Sequence, residues 1–184
     1  MSNYWQYEFP PFFTIQPNDE TRRLQMDAWC EIILDHCRRN RQFVLNIGES
    51  LTTPPFRNNS IDRALTEESL ITILNDMMKR GRIEWIHNNE STEKKKKDSE
   101  PVGTSCLVYW NKPEEWAEII HNWAVSKGYS NTVCTFYEIV DDDNSDESLS
   151  GLDQRILLKS CQLLERDGKA TVMKLDNSFG VKFL

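Results

Sequence analysis

Two short segments of the sequence recur at one fixed spacing, and this repeat limits the folds that the chain can adopt. Trp29-Cys30-Glu31-Ile32-Ile33 has a counterpart in Trp116-Ala117-Glu118-Ile119-Ile120, 87 residues further along the chain. The segment 81–86 matches 168–173 at the same spacing of 87 residues. Two landmarks in one register predict two copies of a single structural unit.

The first copy is predicted to contain helices and strands in a defined order. Apolar residues recur at helical spacing along two long stretches, and Thr66 before Glu67 and Glu68 favours a helix start. The predicted elements are a helix at 19–39, a strand at 43–47, a helical turn at 59–65, a helix at 66–80 and strands at 82–87 and 105–110.

The second copy repeats this order. Pro113 followed by two glutamates suits the first turn of a helix, and Asp153 suits an N-cap. The predicted elements are a helix at 113–127, a strand at 133–140, an acidic connection at 141–150, a helix at 153–166 and a closing hairpin at 169–175 and 180–184.

Helix, strand, short helix, helix and a two-stranded wing is the element order of a winged-helix domain. We therefore predict an α+β, mostly helical fold of two tandem winged-helix domains, at 19–110 and 111–184. A wing loop at 88–104 belongs to the first domain, and an arm at 1–18 precedes it. Two domains of this size lie within the ordinary range for small domains.

The arm is rich in aromatic residues and proline. Its first 13 residues hold 6 of the 19 aromatics of the chain: Tyr4, Trp5, Tyr7, Phe9, Phe12 and Phe13. Because Pro10 and Pro11 favour polyproline II, we expect an extended arm rather than a helix. The arm either packs on its own first domain or inserts its rings into an apolar groove of another protein. Both hold together if Trp5 and Tyr7 pack inward while Phe12 and Phe13 face outward.

The charge balance argues against a general nucleic-acid binder. The chain has 22 Lys plus Arg against 29 Asp plus Glu, a formal net charge of −7, whereas affinity for phosphate backbones comes mainly from clustered basic residues. The helix at 66–80, which would lie in a DNA groove, carries acids in its first turn. We therefore predict no specific nucleic-acid partner.

The sequence also indicates the cellular compartment of the protein. No apolar run approaches the roughly 18–20 residues that cross a bilayer, and the N-terminus lacks a signal peptide. The five cysteines include no C-x-x-C pair, which is typical of reduced thiols in a cytosolic protein.

Residues with catalytic potential are scattered. His36, His87 and His121 stand in no metal-protease spacing, and the sequence has no nucleophile elbow or phosphate-binding glycine loop. The acidic stretch 141–147 lacks the glycine and terminal glutamate of a calcium-binding loop. We predict neither an enzyme nor a metal or cofactor site.

Four consecutive lysines, residues 94–97, form the one basic cluster and fall in the predicted wing loop. Acids surround them, so a solvated insertion is the simpler interpretation. Weak contact with an anionic membrane is the alternative, worth about 1 kcal/mol per lysine before the acids subtract.

Several of these stretches resemble one known family. They are Trp5-Gln6-Tyr7, Phe9-Pro10-Pro11-Phe12-Phe13, Gln16-Pro17, Thr21-Arg22, Ala28-Trp29-Cys30, Trp110-Asn111-Lys112-Pro113-Glu114-Glu115-Trp116, Gly151-Leu152-Asp153 and Gly180-Val181-Lys182-Phe183. They span nearly the whole chain and are similar to the vacuolar protein-sorting-associated protein 25 family, the small subunits of ESCRT-II. The lysine-rich loop and the final Leu184 depart from the family pattern.

The resemblance implies two tandem winged helices in a scaffold for endosomal sorting of ubiquitinated membrane cargo into multivesicular bodies. It implies docking on the two larger ESCRT-II subunits through Pro10, Pro11, Phe12 and Phe13, with Trp5 and Tyr7 as further contacts. It also implies recruitment of an ESCRT-III subunit, through that subunit's N-terminal helix, by the second domain. The expected location is the cytoplasm with recruitment to endosomal membranes, and any membrane contact is indirect or weak.

Other readings stay open at this point. A winged-helix nucleic-acid-binding or transcription-regulating module is the alternative function. A third interpretation is the same scaffold in a nuclear transcription-linked complex, with a nuclear pool of the protein. Self-association of the free chain is also open.

Overall fold

The computed structural model describes residues 4–86, 104–141, 148–175 and 178–184, and the chain divides into two compact units. These are Met1–Trp110 and Asn111–Leu184. Outside the described residues lie His87, the predicted wing loop with its four lysines except for Thr104, and residues 142–147 of the acidic stretch.

The first unit begins with two short 3₁₀ helices, Trp5–Glu8 and Pro10–Phe13. The elements that follow are α1 (Asp19–Arg39), β1 (Val44–Asn46), α2 (Ile47–Ser50), β2 (Arg57–Asn58), β3 (Arg63–Ala64), α3 (Glu67–Lys79), β4 (Ile83–Ile86) and β5 (Ser105–Val108). Asn18 caps α1 and Thr66 caps α3 by accepting a backbone N–H with their side chains.

The second unit repeats this order. Its elements are α4 (Pro113–Ser126), β6 (Val133–Thr135), α5 (Phe136–Val140), α6 (Gln154–Arg166), β7 (Ala170–Lys174) and β8 (Phe179–Phe183). The three-stranded sheets have the order β1-β5-β4 in the first unit and β6-β8-β7 in the second, with all pairs antiparallel. In both, the last strand lies in the middle, so the predicted fold of tandem winged helices is confirmed.

The repeated residues have the same structural role in each unit. Trp29 and Trp116 are both fully buried, Trp29 in the middle of α1 and Trp116 in the first turn of α4. Gly81 and Gly168 follow α3 and α6 with positive φ values of 68° and 70°. Glycine adopts this left-handed conformation without strain, and it turns the chain from the helix into the first wing strand.

The strand predicted over 133–140 is wrong in its second half. β6 ends at Thr135, whose hydroxyl accepts the Glu138 N–H at 3.2 Å while the Glu138 carboxylate accepts the Thr135 N–H at 2.6 Å. This capping box starts α5, which places Phe136 and Ile139 in the core on one helix face.

The helical turn predicted over 59–65 is also wrong. β2 and β3 form a small hairpin here, and Asp62 at its turn has a φ of 50°, which interrupts a right-handed helix. The Asn58 side chain accepts the Ser60 N–H at 3.0 Å and so fixes the turn.

The extended arm is not observed. Phe12 N–H donates to the Phe9 carbonyl at 2.9 Å and Thr14 N–H to the Pro11 carbonyl at 3.1 Å, closing two helical turns. The fixed φ of proline suits the start of a helical turn as well as polyproline II, and a missing N–H costs nothing there.

Within the described residues, no helix combines the length and the apolar character required to cross a membrane.

Candidate interaction surface

The inner side of the N-terminal segment (residues 4–18) packs on α1 through two phenylalanines. Phe12 stacks on Trp29 with 4.6 Å between ring centroids and 12° between planes. Phe13 meets Trp29 edge-on at 5.4 Å and 86°. Both phenylalanines are buried, and burial of each ring stabilises the contact between the segment and α1 by about 1.5–3 kcal/mol. We call this contact of Phe12 and Phe13 with Trp29 the seat.

A buried amide holds the backbone of this segment. Gln25 Nε2 donates to the carbonyls of Phe12 at 2.8 Å and Thr14 at 2.9 Å, and Gln25 Oε1 accepts the Gln16 N–H at 3.1 Å. Trp29 Nε1 donates to the same Phe12 carbonyl at 3.2 Å. The two bonds to the Phe12 carbonyl are buried, so that carbonyl would be poorly solvated without them, and the contact fixes the segment in one position.

Tyr7 anchors the other end of the segment to the β2 strand. Its hydroxyl donates to the Arg57 carbonyl at 3.1 Å, and Asn58 Nδ2 donates to the Tyr7 carbonyl at 2.8 Å. Burial, and then the charge of Glu8, raises the pKa of Tyr7, so its hydroxyl stays protonated and able to donate.

The outer side of the segment exposes two of its aromatic rings. Trp5 is 71% exposed and Phe9 is 51% exposed, with 6.4 Å between their ring centroids. Pro10 and Pro11 are exposed beside them, and Leu24 of α1 is 57% exposed. We call these five residues the outer face. The expectation that Trp5 packs inward and that Phe12 and Phe13 face outward is therefore wrong.

The reversal has a physical cause. Two successive turns place Phe12 and Phe13 over Trp29, whereas an extended chain would place neighbouring side chains on opposite sides. Trp5 and Phe9 lie on the side of the segment that faces solvent.

A groove of about 430 Å³ lies between the segment and α1. Its apolar lining consists of Trp5, Phe9, Pro11, Phe12, Leu24 and Ala28. The charged side chains that line it are Asp27 and Glu31, and none of the described lining residues is basic. Sequence patterns did not reveal this groove, because Leu24 and Ala28 at helical spacing fit the apolar stripe of a core-facing helix.

The histidines considered for chemistry lie on different helices in the part of the chain that the structure describes. His36 lies on α1 and His121 on α4, and the described residues contain no cluster of His, Cys, Asp and Glu that could hold a metal ion. All five cysteines are free and buried. Burial raises the pKa of Cys37, Cys106 and Cys161 to about 12, so these thiols are poor nucleophiles at neutral pH.

Known proteins resemble the chain along nearly its whole length. The sequence model of the family "ESCRT-II complex subunit" matches residues 6–153. Vacuolar protein-sorting-associated protein 25 of Danio rerio is 39% identical over 97% of this chain and 96% of its own. The Homo sapiens protein of that name is 37% identical over 97% of this chain and 95% of its own.

Solved structures agree with the sequence matches. The crystal structure of subunit VPS25 of the endosomal trafficking complex ESCRT-II superposes with a TM-score of 0.82 and 26% identity, covering 97% of this chain and 96% of that chain. A chain of the ESCRT-II complex of VPS22, VPS25 and VPS36 gives a TM-score of 0.78 at 26% identity, over 97% and 96%. The chain belongs to the vacuolar protein-sorting-associated protein 25 family of ESCRT-II subunits.

Proposed function

We propose that this chain is an assembly subunit of an ESCRT-II complex and docks on the two larger subunits through its outer face. The similar complex in which VPS25 is joined to VPS22 and VPS36 supports this assignment of partners. The observation that carries the docking surface is the exposure of Trp5 and Phe9 on a segment that is otherwise firmly held.

Two rings exposed in this way are favourable anchors for a partner. Aromatic side chains dominate the energy of protein interfaces, and covering them removes apolar surface from water. Because Gln25 and Trp29 already fix the backbone, the segment loses little conformational entropy on binding. The seat thus supplies rigidity and the outer face supplies contact area.

This proposal divides the motif implied by the family resemblance into two parts. Pro10 and Pro11 are exposed beside Phe9 and belong to the contact surface. Phe12 and Phe13 are buried and hold that surface in place. Tyr7 shares their role, because its hydrogen bonds join the segment to the β2 strand.

The second unit recruits an ESCRT-III subunit in the same proposal. It exposes apolar side chains of its own, with Tyr137 of α5 71% exposed and Val133 of β6 48% exposed. An amphipathic helix from a partner would cover such side chains. The complex would then sort ubiquitinated cargo at endosomal membranes, to which it is recruited from the cytoplasm.

The test is assembly of purified full-length chain with the two larger subunits, followed by size-exclusion chromatography and titration calorimetry. Replacing Trp5 and Phe9 together by alanine should weaken binding at least about 30-fold, since an aromatic anchor contributes about 2 kcal/mol or more. Tyr137→Ala is the matched control, because Tyr137 is as exposed as Trp5. It should bind the larger subunits like wild type and lose affinity for the ESCRT-III helix.

Assembly of the Trp5/Phe9 double variant with wild-type affinity would overturn the docking surface. Retention of the wild-type chain on duplex DNA with a steep salt dependence, together with no assembly, would favour the nucleic-acid alternative. The acids Glu67 and Glu68 in the first turn of α3 argue against that alternative, because they would face the phosphates.

A further inference from the structure

The groove beside the outer face has an uneven charge distribution. Of its two carboxylates, Asp27 accepts a hydrogen bond from Arg80 Nη1 of α3 and is thereby paired. Glu31 is exposed and forms no salt bridge with the residues that the structure describes. Arg22 follows the groove residue Thr21 in the sequence but does not pair with Glu31. Its guanidinium donates to the carbonyls of Gln16 at 2.8 Å and Pro17 at 2.6 Å.

Glu31 lies at one end of an apolar floor. Leu24, Ala28 and Glu31 follow one another at spacings of four and three residues, so they lie along one stripe of α1. All three line the groove, with Trp5 and Phe9 on its other side. A side chain entering the groove therefore meets apolar surface along its length and a carboxylate at its end.

The field of Glu31 reaches the N-terminal segment. Burial raises the pKa of Tyr4, and the charges of Asp35 and then Glu31 raise it further, while Arg39 opposes them. The negative charge of Glu31 therefore also acts on Tyr4 at the start of the segment.

We infer that the groove receives a basic side chain of a larger ESCRT-II subunit, with the aliphatic stem between Leu24 and the Trp5/Phe9 pair and the cationic head at Glu31. This inference rests on the proposed function, because it names the chemistry of the partner at the same surface. An apolar occupant would desolvate Glu31 without compensation, whereas a lysine or arginine pairs with it. Aromatic faces and a carboxylate together suit such a head.

The experiment is titration of the full chain against the co-purified larger subunits at about 50 mM and about 500 mM salt. Glu31→Gln should weaken binding about five- to tenfold at low salt, mainly through slower association, and the difference should shrink at high salt. Glu31→Lys should weaken it more. Glu20→Gln is the control, because Glu20 is exposed on α1 about 16 Å along the helix from Glu31, and its effect should stay within about twofold.

A Glu31→Gln variant that does not bind more weakly than wild type would overturn the inference. If Glu31→Gln leaves affinity unchanged or increases it while Trp5→Ala weakens binding, the occupant is apolar and only the proposed docking surface stands. If Glu31→Gln and Trp5→Ala both leave affinity unchanged, the docking surface and the inference fail together. Circular dichroism of each variant checks that the fold is retained.

Discussion

The ring of Phe12 lies parallel to the indole of Trp29, with 4.6 Å between centroids and 12° between planes. Through this contact the N-terminal segment packs on α1 as part of the first unit and is not a separate arm. Trp29 also donates to the Phe12 carbonyl, so one side chain of α1 holds both the ring and the backbone of the same residue.

Phe12→Ala should therefore destabilise the first unit by about 3 kcal/mol, since it removes a buried aromatic ring and leaves a cavity over Trp29. Phe9→Ala is the control, because Phe9 is a half-exposed ring of the same size in the same segment. It should cost less than about 1 kcal/mol. Native-state amide exchange of α1 measures both values, and equal losses would contradict the stacked seat.

Gln25→Ala tests the backbone contacts separately from the rings. It removes donors to the Phe12 and Thr14 carbonyls and the acceptor of the Gln16 N–H. We expect a loss of about 1 kcal/mol, because the Gln16 N–H loses its acceptor. The Phe12 carbonyl keeps the Trp29 Nε1 donor and the Thr14 carbonyl keeps the Gln16 Nε2 donor.

Limited proteolysis within residues 14–18 is the readout for Gln25→Ala, which should accelerate cleavage. Gln162→Ala, an exposed glutamine of α6, serves as the control and should leave the rate unchanged. Equal cleavage rates in Gln25→Ala and wild type would show that the rings alone hold the segment.

The capping box of α5 gives a pH-dependent prediction for the second unit. Hydrogen bonds from the Thr135 N–H and hydroxyl lower the pKa of Glu138 from its ordinary value of 4.5. A lowered folded-state pKa gives stability that is present above the ordinary value and is lost as the pH falls through the lowered one.

Glu138→Gln should therefore make the free energy of unfolding of the second unit less dependent on pH between about 6 and about 3. The contribution is small because the carboxylate is exposed to solvent. Urea unfolding at several pH values, with Glu118→Gln of α4 as an exposed control, measures it. Parallel pH curves for Glu138→Gln and wild type would refute the capping role.

Much of the fold could be predicted because its signals are local or repeated. Trp29 and Trp116 mark the buried faces of two equivalent helices, and Gly81 and Gly168 mark two equivalent helix ends. The start of α5 within the predicted strand 133–140 also has a local signal, since Thr135 followed by Glu138 is a helix-start pattern. β-branched and aromatic residues in the same stretch favour a strand, and that preference is weaker than the cap.

The orientation of the N-terminal rings could not be predicted in the same way. It depends on Gln25 and Trp29, which lie 13 and 17 residues further along and meet Phe12 only in the folded unit. No spacing within residues 4–13 indicates which rings α1 will cover. Exposed apolar positions such as Leu24 gain meaning only once the groove beside them is formed.

Oxidative footprinting of the free chain and of the chain assembled with the two larger subunits tests the docking surface most directly. The account predicts that Trp5 and Phe9 react readily in the free chain and at least about five times more slowly in the assembly, as covered anchors do. Tyr137 should react equally in both, and Phe12 should react slowly in both. An unchanged Trp5, or a Phe12 that becomes reactive on assembly, would contradict docking through the outer face.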